Sequence, residues 1–275
     1  LKLANLTAQI KSQRPCLLAA TSGVHCKEVK WLDFVGSKIY AGYMPIKSDD
    51  VSKPFDPLAV ENIGVTLAVE LLEQDLSPLP PENSFPGAGV YAIYYVGDHP
   101  AYAPLLAMDN DGGCRYPVYI GKAVRENAKQ GFNPSPTKKA SLFGRLKNHA
   151  KSIQEAMDAG IDTHIKLSDF RCRYLVLNDA YITLAESVLI TTFRPAWNGM
   201  GLGSNGVGGP RMAGKASLWD SLHPGRAGRP TGDAARAAEA ALQIKESIDK
   251  LGTLPSDPRA AKMLEKIRRF VSSTS

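Results

Sequence analysis

An acid inside an apolar helix, an Arg and a His one helical turn apart, and two tyrosines opening strand-like runs are the residues of this chain that could do chemistry together. Glu186 is the only acid among Ile182, Leu184, Ala185, Val188, Leu189 and Phe193, which are apolar nearly all the way round. Such a helix is expected to be buried, and burying an unpaired carboxylate costs about several kcal/mol. Glu186 therefore calls for a cation, a base or a metal beside it. Arg145 and His149 lie on a helix predicted from Leu142 to Ile153, whose apolar stripe is Phe143, Leu146, Ala150 and Ile153. Their spacing puts both on one face beside that stripe. Tyr91 follows Gly89-Val90, and Tyr119 precedes Ile120-Gly121-Lys122. A planar guanidinium suits nonbridging phosphate oxygens, an imidazole moves protons near neutral pH, and a carboxylate can hold a hard cation.

Hydrophobic periodicity supplies the elements that must position them. Leu58, Ile63, Leu67, Leu71 and Leu72 fall near one face of a helix beginning at Pro57, which Pro78, Pro80 and Pro81 stop. Val90 to Val96 reads as a central strand, 98–117 as a loop rich in turn formers, and Val118 to Ile120 as the start of a partner strand. Ser141 is a candidate cap for the Arg145/His149 helix. Phe170, Cys172, Tyr174 and Val176 alternate with Arg171, Arg173 and Leu175, the period of a half-buried strand. Asn178 or Asp179 can cap the Glu186 helix, and Pro195 ends it, leading to Trp197-Asn198-Gly199. Further on, 199–209 is glycine-rich and is followed by Arg211, Lys215, Trp219, His223 and Arg226. Amphipathic helices over Thr231 to Leu251 and Asp257 to Val271 are expected to form a hairpin. Residues 1–54 suggest one or two short strands around Trp31 to Tyr43; an accessory layer, a subunit contact and a DNA clamp all fit.

A net charge of +6 favours a polyanionic partner. The cations gather at Lys138-Lys139, Arg145-Lys147-Lys151, Arg171-Arg173, Arg211-Lys215 and Arg226-Arg229, mostly after the tyrosine strands. No stretch of about 18 apolar residues occurs, so no membrane span is expected. The first residues carry Lys2, Lys11 and Arg14 with no continuous apolar run and do not resemble a secretory signal, so a cytoplasmic location is expected. The 4 cysteines, Cys16, Cys26, Cys114 and Cys172, contain no CxxC pair, which argues against a zinc knuckle and for free thiols.

The ordered series Gly89-Val90-Tyr91, Tyr119-Ile120-Gly121, Arg145 with His149, Glu186 and Trp197-Asn198 resembles the GIY-YIG endonuclease superfamily over roughly residues 85–199. Two departures stand out: valine replaces isoleucine in the first triplet, and the insert between the triplets is long. The resemblance implies an α+β fold, a small three-stranded antiparallel sheet flanked by helices, with N- and C-terminal extensions. Within the superfamily, the Arg-x-x-x-His pair and the following Asn look most like type II restriction enzymes that cut CCGCGG. The domains expected are an accessory segment 1–54, a nuclease domain 55–228 with a DNA-contacting glycine-rich region 199–228, and the hairpin 229–275.

Phosphodiester hydrolysis needs an activated water, positive charge on the phosphoryl group and help for the leaving oxyanion. Glu186 is expected to hold one Mg²⁺, for which Mn²⁺ substitutes, and Arg145 to contact the phosphate. Tyr91 would take a proton from water while passing its own to His149, Tyr119 would position phosphate or water, and Asn198 would bond to the site. Lys122, Arg211, Lys215 and Arg226 are the expected DNA contacts. The partner implied is double-stranded DNA, cut by a homodimer or higher homo-oligomer. The alternatives are a repair or homing-type nuclease of the same superfamily, or a basic DNA-binding protein that has lost activity.

Overall fold

The computed structural model describes residues 54, 56–109, 113–125, 137–203, 214–251, 253 and 258–273. The described residues all belong to one compact unit. What was expected of the N-terminal segment lies outside them, Pro54 apart, as does Arg211. Helix α1 runs Val60–Glu73 and buries Gly64, Leu67, Ala68 and Leu71. Leu58, expected on its buried face, lies ahead of the helix and is exposed. Strand β2, Gly89–Tyr95, is buried along its whole length. It pairs antiparallel on one side with β3, Tyr119–Ala123, and on the other with β4, Phe170–Val176. A two-residue β1, Ser77–Pro78, adds a fourth strand to the expected three, giving the order β1-β4-β2-β3. A proline is tolerated there because β1 is an edge.

The region between β2 and β3, expected to be a loop, contains a 3-10 turn, Pro100–Tyr102, and helix α2, Ala103–Met108. Pro100 and Pro104 sit in first turns, where a missing amide costs nothing. Helix α3, Ser141–Asp158, extends beyond the predicted Ile153. Ser141 is its first residue and makes no cap; Ala140 holds the N-cap position. Asn178 does cap α4, Asp179–Phe193, accepting from the Ala180 amide at 3.1 Å.

Strand alternation builds two cores. Tyr91, Ile93, Tyr95, Phe170 and Cys172 face α3, packing on Leu142, Leu146 and Ile153 together with Trp197 and Trp219. Val90, Ala92, Tyr94 and Ile120 face α1 and α4, packing on Leu71, Ala185 and Leu189. Each such aliphatic side chain contributes about 1.5–3 kcal/mol of apolar burial. After the short α5, Leu218–Leu222, come α6, Ala234–Leu251, and α7, Pro258–Ser273. The buried residues of this expected hairpin go to opposite cores. Ala240, Ile244 and Ile248 of α6 join the α3 side, and Met263 and Ile267 of α7 join the α1/α4 side. Cys114 and Cys172 are buried free thiols. Among the described residues, no helix is long and apolar enough to cross a membrane.

Candidate active site

Tyr91 and Gly121 are directly opposite each other on β2 and β3. The Tyr91 ring lies across β3, and a Cβ on Gly121 would collide with its phenol, which is why glycine follows Tyr119-Ile120. Gly89 is required for another reason: a Cβ there would run into the Leu175 carbonyl. The Tyr91 hydroxyl lies 2.6 Å from Nε2 of His149 on α3. Burial drives the Tyr91 phenol well above its usual 10, reinforced by Tyr119 and opposed by Arg145. Burial, then the charges of Arg145 and Arg226, push His149 down to about 3. The pair is therefore a neutral phenol against a neutral imidazole, in a region where His149 is only 3% exposed.

Arg145, one turn before His149, donates from Nη2 to the Gly203 carbonyl at 3.2 Å. It also lies close enough to Tyr91 and Tyr119 to lower both phenols. Tyr119 is partly buried, with its ring centroid 5.0 Å from that of His149. Burial raises its pKa most, Arg145 opposes, and Glu186 raises it further. Tyr119 thus feels the arginine on one side and the acid on the other.

Glu186 lies on the opposite face of the sheet. Its Oε2 is 2.8 Å from Nζ of Lys122, with side-chain exposures of 22% and 33% for acid and lysine. Lys122 Nζ also donates to Thr183 Oγ1 at 3.4 Å. The expectation of an all-round buried helix is corrected, since Tyr181, Thr183 and Ser187 of α4 are exposed. The carboxylate sits on that wetter flank, and the cation it called for is Lys122. The set therefore straddles β3: Tyr91, Tyr119, Arg145 and His149 on one face, Glu186 and Lys122 on the other.

Asn198 acts on the strand between them. Its Oδ1 accepts from the Ile120 amide at 2.9 Å, and its Nδ2 donates to the Ile120 carbonyl at 2.8 Å. The Trp197 amide donates to the Val118 carbonyl at 2.8 Å. Together they occupy the backbone groups that an edge strand would leave open. Asn198 is a positioning residue for β3; its described hydrogen bonds go to backbone rather than to the other site side chains.

Arg226 is corrected from a DNA contact to an internal one. It is 5% exposed, lies over the Trp219 ring at 5.0 Å, and grips Asp220 through Nε and Nη2, each at 2.8 Å. Its Nη1 donates to the Leu202 carbonyl at 3.0 Å and its Nη2 to that of Gly201 at 3.3 Å. A cation so enclosed is not offered to a phosphate. It holds the 201–203 turn, whose Gly203 carbonyl receives Arg145 and whose Cα abuts the Tyr119 hydroxyl. Lys215 is exposed.

Sequence reading missed a second polar cluster. Trp197 Nε1 donates to the Tyr102 hydroxyl at 2.7 Å, and that hydroxyl is 2.6 Å from His223 Nε2. His223 Nδ1 is 2.6 Å from Asp162 Oδ2, and His99 Nε2 reaches the same oxygen at 3.2 Å. Because the Ala101 amide donates to His99 Nδ1, the His99 proton is on Nε2 and points at Asp162. Burial works to raise Asp162, but the hydrogen bonds from His223 and His99 outweigh it and hold the carboxyl well below the usual range. His99, Asp162 and His223 have the side-chain types of a metal site. Their facing ring nitrogens are donors already spent on the carboxylate, so the cluster is a hydrogen-bonded brace between the Trp197 turn and α5. Its members lie far apart in sequence with no ligand spacing to mark them.

An antiparallel sheet carrying Tyr91 and Tyr119 on adjacent strands, with Arg145/His149 and Glu186 on helices either side, is a GIY-YIG nuclease core. The family model of the Eco29kI GIY-YIG domain matches residues 83–250, and the chain belongs to that family, one of restriction endonucleases. The matched span extends past Asn198 through the Arg226 turn and almost all of α6. No curated protein matches the chain in sequence.

Proposed function

We propose that this DNA endonuclease is a type II restriction enzyme. It hydrolyses both strands of duplex DNA at a GC-rich palindrome of the CCGCGG type, as a homodimer with one Mg²⁺ per active site. The observation that carries the reading is the placement of a dry phenol-imidazole pair and a wet carboxylate on opposite faces of one edge strand. A phosphodiester laid along that edge meets a proton acceptor on one side and a cation ligand on the other. Tyr91 takes a proton from water as its own passes to His149, whose neutral Nε2 is free to accept it. Arg145 and Tyr119 orient the phosphoryl oxygens, with Arg145 held by Gly203. The donor set fits Mg²⁺: Glu186 has one oxygen without a protein partner among the described residues, on a flank open to the waters this ion retains. Bound there, the ion would supply charge stabilisation for the leaving 3′ oxygen. One site cuts one strand, so a palindrome calls for two related by a two-fold axis.

Plasmid DNA incubated with the protein and Mg²⁺, followed by end mapping, tests the reading. Discrete fragments with a shared terminal sequence are expected; random degradation or nicking would instead indicate a repair or homing-type nuclease. Glu186→Gln should abolish cleavage and leave DNA binding intact, and retained cutting would remove the metal role.

A further inference from the structure

The Glu186 carboxylate is not vacant. Ile120 faces the α1/α4 core, and the alternation of β3 puts Lys122 on that same side. Thr183 and Glu186, three apart on α4 and so on one flank of it, both reach its ammonium. The contact to Glu186 is a short charge-assisted bond of 2.8 Å; the one to Thr183, at 3.4 Å, is at the limit of a hydrogen bond. An ammonium and a divalent ion seeking the same carboxylate repel each other, and Lys122 already uses one of the two oxygens. The pair is also partly solvated, so water and salt keep it weak enough to be exchanged.

We propose that Lys122 is a resident counter-ion: it holds Glu186 in the DNA-free protein, competes with the divalent cation for that carboxylate, and is released to DNA phosphate when the cation binds. The proposal rests on the reading of Glu186 as the metal ligand and adds a regulation to it. Metal binding is suppressed until an anion is present to take over the lysine. Lys122 lies on the edge strand β3, so an ammonium freed from Glu186 remains at the edge where the phosphodiester is placed. Metal and DNA then promote each other's binding without a change of fold.

The test uses Mn²⁺ alone as the probe, titrated into full-length DNA-free protein and followed by electron paramagnetic resonance of the free ion. Lys122→Met keeps the aliphatic stem and removes the charge. It is expected to bind Mn²⁺ about fivefold more tightly than the unmodified protein, the exchange value of a partly exposed ion pair. Lys122→Arg, which keeps the charge, should stay close to the unmodified affinity, and Glu186→Gln should lose the site in either background. If Glu186→Gln removes binding while Lys122→Met binds no more tightly than the unmodified protein, the counter-ion role is overturned and the metal reading stands. If Mn²⁺ binding survives Glu186→Gln, the metal reading itself fails and the proposal with it; if binding is absent even in Lys122→Met, the lysine is not what suppresses it and the counter-ion role is overturned.

Discussion

The two sides of β3 carry opposite solutions to the same problem of holding polar groups in place. On the α3 side, Tyr91 and His149 are neutral, buried and 2.6 Å apart, and water is excluded by aromatic neighbours. On the α4 side, Lys122 and Glu186 are charged and partly solvated at a similar 2.8 Å. The dry side holds the phenol and the imidazole of the proposed relay together with few competing partners, while burial opposes charging either one in the resting site. The proposed cation at Glu186 would benefit from the wet side because the ion need not surrender its waters. The difference teaches that burial, rather than distance, separates the two chemistries.

Removing the buried hydroxyl should have the largest effect. Tyr91→Phe keeps the ring that packs over Gly121 and takes away the acceptor, and is expected to slow cleavage by about 10²–10⁴. Single-turnover kinetics at saturating protein measure this, and near-normal turnover would hand the base role to another group. Next comes a contrast of ion pairs. Asp220→Ala strands the enclosed Arg226 and is expected to cost about 3–5 kcal/mol, whereas Lys122→Met should cost less than about 1 kcal/mol. Denaturant midpoints of the two variants should therefore differ widely, and equal midpoints would erase the distinction between dry and wet pairs.

A third effect is pH-dependent. His149 is held at about 3 when folded, against 6.5 when free. Its contribution to stability is complete above pH 6.5 and is lost as pH falls toward 3, because the unfolded chain takes up the proton first. That corresponds to about 2 kcal/mol between pH 7 and pH 5. His223, also lowered by burial, acts with the same sign. Replacing His149 with Asn should flatten the stability profile over this range. The most local effect is expected at Asn198. Its alanine variant loses two part-buried hydrogen bonds to the strand edge, about 1–2 kcal/mol, seen as faster hydrogen exchange at the Ile120 amide. Unchanged exchange there would show that the edge is held by Trp197 alone.

Much of the core was legible because it is local. Alternation in Phe170 to Val176, the stripe of α3 and the cap at Asn178 follow from the periods of strand and helix, and the tyrosine triplets mark paired strands. Glu186 was found for a partly mistaken reason. Its helix looked apolar all round because threonine, serine and tyrosine do not interrupt an apolar pattern, yet these residues form its exposed flank. Arg226 looked like a DNA contact because sequence shows a cation and not its counter-ion; Asp220 lies close by in the chain, but nothing there shows that both are enclosed. The α2 segment reads as loop because prolines, paired glycines and few periodic apolar positions mark turns, yet Pro104 sits in the first turn of a helix.

The sequence by itself determined the candidate side chains and the order of the elements that carry them, since each depends on residue type and short spacing. Tertiary structure alone decided that these side chains divide between two faces of an edge strand, and that Lys122 rather than Arg145 is the cation at Glu186. It also decided that Arg226 and the His99–Asp162–His223 brace lie inside the protein. Those outcomes depend on which distant segments exclude water from which groups, and solvent exclusion is a property of the packed chain that no local pattern encodes.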